Sequence, residues 1–156
     1  MVHRTYYGLG PPDATVRAFE GLKPYAVELL ALQSECRPLG PDYMAFGVAL
    51  DGLQTAAYHF TRRRDFYHEL EADRPPYREG NSRLSDRTEA IATFRALTPY
   101  VHLLSKLQLQ CRPFGRDYCA LDIAKQSLET AAFHFTREER FYAARNDSAG
   151  QIRPAH

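Results

Sequence analysis

Several features that assign proteins to functional classes are missing from this sequence. No apolar run is long enough to span a bilayer, and the first seven residues lack the apolar stretch of a signal peptide. Twenty Lys and Arg stand against nineteen Asp and Glu, so the net charge is only +1 and no overall field attracts nucleic acid or an anionic membrane. These absences predict a cytoplasmic protein with no membrane partner, whose charged contacts are confined to local patches.

Motifs for catalysis and for metal binding are also missing. The sequence contains no Gly-x-Ser-x-Gly, no glycine-rich phosphate loop, no CxxC and no HExxH. Three cysteines are an odd number, which favours free thiols over a disulfide framework. Cys36, His59, Cys111 and His134 would form a zinc set by residue type, but His59 lies roughly 25 Å along its predicted helix from Cys36. We therefore predict no catalytic residue, no metal site and no cofactor.

An internal repeat is the main feature that the sequence does contain. Phe19–Leu70 and Phe94–Arg145 align without a gap at an offset of 75 positions, and about half of the aligned residues are identical. The identical positions include polar residues that packing alone does not require. We expect a single domain at 13–146 that arose by tandem duplication, with repeats at 13–71 and 86–146 and flexible tails at 1–12 and 147–156.

Apolar residues at three- and four-residue steps predict the first helix of each repeat. Pro24 and Pro99 lie inside these patterns, and the apolar phase continues through both, which favours one kinked helix. The alternative is a break, with each proline in the first turn of a shorter helix. Proline and glycine end the helix in the loops 36–43 and 111–118, where Asp42 and Asp117 are expected to cap the returning helices.

The returning helices carry alanine-rich apolar seams that run from Phe46 to Tyr67 and from Leu121 to Tyr142. Each helical hairpin is too thin to bury its own apolar face. We therefore expect an all-α fold, an internally duplicated helical hairpin that forms a pseudo-twofold four-helix bundle. If the seam is incomplete within one chain, a homodimer of the same symmetry is the alternative. The segment 72–87 is the predicted connection, with Ser85 or Asp86 capping the next helix.

A polar stripe on each returning helix is the first candidate binding site. Its members step by 4, 3 and 4 residues and therefore share one face: Thr55, His59, Arg62 and Phe66, and in the second repeat Thr130, His134, Arg137 and Phe141. One hypothesis brings both stripes into a single pocket with paired imidazoles and guanidiniums for an anion. The favoured interpretation is a half-buried contact between the hairpins, with each histidine bonded to a threonine or a backbone carbonyl.

The two hairpin loops supply the second candidate. Arg37 and Tyr43, and their counterparts Arg112 and Tyr118, flank a rigid proline–glycine turn that would suit the tip of a recognition surface. The same residues also have structural uses in ending one helix and starting the next, and this scaffold interpretation is favoured.

Protein binding is the leading functional hypothesis, without enzymatic activity. Ten Tyr and nine Phe exceed what a thin helical core needs, and Tyr6, Tyr7, Tyr67 and Tyr77 are candidate exposed anchors for a protein partner. The alternative is a small-ligand or anion-binding protein that uses the paired His and Arg residues, with weak catalysis. A nucleic-acid surface is not supported, because the basic run at 62–64 becomes Arg-Glu-Glu-Arg at 137–140.

Overall fold

The computed structural model describes residues 6–80 and 82–143, which contain six α-helices, two 3₁₀ helices and no strand. The α-helices are α1 (Pro12–Glu20), α2 (Lys23–Ser34), α3 (Pro41–Thr61), α4 (Arg87–Ala96), α5 (Thr98–Gln108) and α6 (Arg116–Thr136). The 3₁₀ helices are His68–Asp73 and Arg83–Ser85. The predicted all-α class is confirmed, and within the described residues no helix is both long and apolar enough to cross a membrane.

The first helix of each predicted hairpin is broken in two. Gly21 and Leu22 separate α1 from α2, and Leu97 separates α4 from α5. Pro24 and Pro99 lie in the first turns of α2 and α5, where the missing proline N–H leaves no helical hydrogen bond unmade. The favoured prediction of a kinked helix is therefore wrong, and the alternative of a break is correct.

The centre of the fold is an antiparallel pair formed by α3 and α6. Each helix has 21 residues, and both ends of α6 lie 75 positions after the corresponding ends of α3. The end of α3 contacts the start of α6, and the end of α6 contacts the start of α3. Helices α1 and α2 pack on α3, while α4 and α5 pack on α6. Small side chains favour close helix approach, and eight alanines of these two helices are buried: Ala45, Ala49, Ala56, Ala57, Ala120, Ala124, Ala131 and Ala132.

Residues that lie 75 positions apart, which we call equivalent, meet each other at the middle of the molecule. A Cβ atom built on Gly52 of α3 would overlap the Oγ atom of its equivalent, Ser127 of α6. Elsewhere in the core Tyr25 stacks on its equivalent Tyr100, with ring centroids 4.7 Å apart. Because a side chain here faces its own counterpart, glycine on one helix supplies the space that serine occupies on the other.

The returning helices are shorter than predicted. The hydroxyls of Thr61 and Thr136 donate to carbonyls one turn back, at 2.7 Å, and the next residues, Arg62 and Arg137, take left-handed backbone angles with φ of 62° and 61°. Tyr67 therefore lies beyond α3, where it is buried and its hydroxyl donates to the Phe19 carbonyl at 2.6 Å. The expectation that Tyr67 is an exposed anchor is wrong.

The helix α4 has the capping residue that the sequence predicts, whereas α3 and α6 do not. Asp86 Oδ1 accepts the N–H of Thr88 at 3.1 Å, so the predicted cap of α4 is confirmed. Asp42 and Asp117 do not cap their helices, which begin instead after Gly40 and Gly115 without a side-chain cap. Both carboxylates are engaged elsewhere, by histidines of the other returning helix.

The predicted N-terminal tail is partly held against the core. The Gly8 N–H donates to the Gln110 carbonyl at 2.8 Å, and Leu9 packs on buried residues. The other parts of the predicted tails, 1–5 and 147–156, lie outside the described residues, as do the last three residues of the second repeat.

Candidate functional site

Two histidine–aspartate pairs join the central helices. His59, in the last turn of α3, donates from Nε2 to Asp117 Oδ1 in the first turn of α6, at 2.8 Å. His134 and Asp42 form the equivalent pair in the opposite direction, at 2.7 Å. The histidine side chains are 27% and 30% exposed. A partly exposed pair of this kind contributes up to about 1 kcal/mol, so its main effect is to fix where the two helix ends meet.

The two pairs lie at opposite ends of the molecule. Asp42 and His59 are 17 residues apart on α3, which at 1.5 Å per residue is roughly 25 Å. The hypothesis of one pocket with paired imidazoles is therefore wrong. The histidines do bridge the two halves of the chain, as the favoured interpretation requires, but their partners are carboxylates rather than threonines or backbone carbonyls.

The other stripe residues do not form one half-buried face, which corrects the sequence prediction. Thr55, Thr130, Arg62 and Arg137 are exposed. Thr130 donates to a carbonyl of its own helix at 2.9 Å.

The aromatic members of the stripes lie beyond the helices. Phe66 is half-buried edge-on to Phe19, with ring centroids 6.5 Å apart. Phe141 is buried against Phe94, and the Arg95 guanidinium lies 4.0 Å from its ring centroid. Phe141 therefore belongs to the core, and Phe66 packs against it.

The loop residues divide into exposed and anchored ones. Arg37 and Arg112 are exposed. Tyr43 and Tyr118 are half-buried, and their carbonyls accept the side-chain amides of Gln33 and Gln108 at 3.1 Å. The arginines are therefore available for contact, whereas the tyrosines hold the loops against α2 and α5.

Two residues that sequence reasoning missed stand at the tips of these loops. Leu39 is 81% exposed and its equivalent Phe114 is 83% exposed. Both have left-handed backbone angles, with φ of 63° and 62°. For a residue with a side chain this conformation costs roughly 1–2 kcal/mol. A large apolar residue directly before the turn glycine was the signal, because polar residues or glycine normally occupy such turns.

The loop of one half and the helix end of the other half lie together at each end of the molecule, because the His–Asp pairs join them. We call the two groups end site 1 and end site 2. End site 1 contains Arg37, Leu39, Asp42, Tyr43, His134 and Arg137. End site 2 contains Arg112, Phe114, Asp117, Tyr118, His59 and Arg62. Each end site thus combines loop residues of one half with the histidine and arginine of the other half's stripe.

The cysteines differ in accessibility. Cys36 and Cys111 are buried, and burial raises the pKa of their thiols to about 12 and about 11, so both stay protonated at neutral pH. Cys119 is exposed at the start of α6. Among the described residues no group of three His, Cys, Asp or Glu side chains could hold a metal ion.

Comparison with known family models, with curated proteins and with solved structures finds no match to this chain.

Proposed function

We propose that this protein is a cytoplasmic adaptor that binds a protein partner at each end, through end sites 1 and 2. The observation that supports the proposal most strongly is the pair of large apolar side chains, Leu39 and Phe114, held outward at equivalent loop tips.

Neither tip residue lies in the core, although the exposed Phe114 ring contacts Tyr118, with ring centroids 5.4 Å apart. An apolar side chain that stays more than four-fifths exposed contributes little burial energy, and glycine would adopt the same backbone angles without strain. Single exposed apolar residues are ordinary on protein surfaces. Here, however, exposure and backbone strain coincide, and both recur at the equivalent position of the second loop. An exposed arginine lies two residues before each tip, and arginine and aromatic residues are enriched at protein interfaces.

The arrangement of the two halves indicates how many copies of its partner one chain binds. We interpret the fold as two equivalent three-helix units related by an approximate twofold axis that passes near Gly52 and Ser127. Such an axis makes the end sites equivalent and places them at opposite ends of helices roughly 30 Å long. One chain would then bind two copies of its partner.

Affinity capture with matched variants tests the proposal. Leu39→Asn/Phe114→Asn removes both apolar tips, and asparagine tolerates the left-handed conformation, so the fold should persist. Val27→Asn is the control, because Val27 is 48% exposed on α2 and the two residue types have similar helix propensity. We expect a partner that the wild type and the control retain and the tip variant loses. With the purified partner, each single tip variant should bind one copy instead of two.

Two results would reject the proposal. The first is a partner that the tip variant retains at wild-type yield. The second is a folded wild-type protein that captures nothing. If the tip variant kept the partner and a His59→Ala/His134→Ala variant with intact tips lost it, the partner would contact the histidines of the end sites and not their apolar tips.

A further inference from the structure

A cleft of about 230 Å³ lies between the end of α1 and α5 and shares no residue with either end site. Its apolar surface comes from Ala18, Leu22, Leu103 and Leu107. Leu22 is buried and Leu107 is half-buried, whereas Leu103 is 43% exposed. The cleft therefore offers an apolar surface that this chain leaves uncovered within the described residues.

Two cations stand at this cleft, Arg17 from α1 and Lys106 from α5. Neither takes part in any of the ion pairs found among residues 6–80 and 82–143. Apolar walls beside two unpaired positive charges are complementary to a molecule that has an apolar body and an anionic head.

The equivalent surface, between α4 and α2, carries different chemistry. Ala92 and Ala31 stand where the cleft has Arg17 and Lys106, so both cations are missing there. Glu28 replaces Leu103, which exchanges an apolar wall for a negative charge. The cleft and its equivalent surface therefore differ in charge and polarity, at a place where Arg17, Leu103 and Lys106 are exposed.

We propose that the cleft between α1 and α5 binds a small amphipathic carboxylate. Its apolar tail lies against Leu22, Leu103 and Leu107, and its carboxylate accepts hydrogen bonds from Arg17 and Lys106. The volume is below the roughly 300–1,000 Å³ of pockets for drug-sized ligands, so the tail is short. Only one such molecule binds per chain, because the equivalent surface lacks the cations.

Titration with octanoate below its micelle concentration tests the site. Methyl signals of the cleft leucines should shift in NMR spectra, and each methylene added from butanoate to octanoate should tighten binding about fourfold. Arg17→Ala/Lys106→Ala, which gives the cleft the alanines of the equivalent surface, should weaken octanoate binding at least tenfold. Arg64→Ala/Arg78→Ala is the matched control, because it removes the same charge from exposed residues outside the cleft and should leave the affinity unchanged.

Three results would overturn the proposal. Octanoate that shifts no cleft methyl would show that the site is not used. Equal binding of octanol and octanoate would show that the cations play no part. Equal weakening by the cleft variant and the control would mean that octanoate responds only to net charge. Circular dichroism of each variant ensures that a loss of binding is read only from folded protein.

Discussion

Adding a single methyl group at Gly52 should force apart the two central helices. A Cβ atom at this position would lie 2.6 Å from Ser127 Cβ and 3.1 Å from the Ile123 carbonyl oxygen, in addition to its overlap with Ser127 Oγ. The hydroxyl can rotate away, but the other two atoms are fixed to the backbone of α6. The helices must therefore shift if Gly52→Ala is to be accommodated.

The expected magnitude follows from two opposing effects. Alanine is a better helix former than glycine by about 1 kcal/mol. Overpacking a tight contact costs about 1–3 kcal/mol, and the upper end applies because backbone atoms must move. We expect Gly52→Ala to lower the free energy of unfolding by about 2 kcal/mol, or the melting temperature by about 4–8 °C.

Gly47→Ala in the same helix is the control for this substitution. A Cβ atom at Gly47 would meet only the Gln33 side-chain amide, at an ordinary 3.5 Å, so helix propensity should stabilise this variant by up to about 1 kcal/mol. Gly52→Ala/Ser127→Gly should recover most of the loss, because the two positions are equivalent. Urea denaturation followed by circular dichroism measures all three. If Gly52→Ala proved as stable as Gly47→Ala, the helices would not cross where the structure places them.

Three further predictions concern the thiols and the His–Asp pairs. Burial raises the pKa of Cys36 to about 12 and that of Cys111 to about 11, from a usual value near 9. Above pH 9 the unfolded chain therefore loses these protons first, and the free energy of unfolding should fall by up to about 1.4 kcal/mol per pH unit per thiol, measurable as a falling urea midpoint. Iodoacetamide should modify Cys119 rapidly in the native protein, and Cys36 and Cys111 only after unfolding. Mass spectrometry measures the modification, and rapid modification of all three cysteines would contradict the burial of Cys36 and Cys111. Replacing either pair aspartate by asparagine should lower the free energy of unfolding by no more than about 1 kcal/mol, since the carboxylates are half-exposed; a larger loss would mean that the pairs hold the halves together.

Local patterns in the sequence predicted the helical class, the apolar seams, the loop positions and the Asp86 cap, because each depends on residues close together in the chain. The break before Pro24 was harder to predict, since the apolar phase is the same for a kinked helix and for two helices separated by a short turn. The position at which α3 ends was also not predicted from the sequence. Arg62 adopts a conformation typical of glycine, and Phe66 continues the helical spacing although it lies outside the helix.

The end sites could not be predicted from the sequence because they depend on contacts between distant residues. His59 and Asp117 are 58 positions apart, and His134 and Asp42 are 92 apart. The sequence pattern predicted that these aspartates cap their own helices. In the antiparallel arrangement of α3 and α6, each aspartate instead has its partner on the other helix.

Differences between the two halves have distinct physical causes at different places. At Gly52 and Ser127 the difference follows from geometry, because a side chain at both positions would collide where the helices cross. No such constraint acts where Arg17 and Lys106 face solvent and their equivalents are alanines. The two halves are alike at the end sites, where the His, Asp, Arg and Tyr residues are identical and both tip residues are large and apolar. Shared chemistry at both ends fits one kind of partner that binds twice, whereas a pair of cations at one of two equivalent surfaces fits a ligand that binds once.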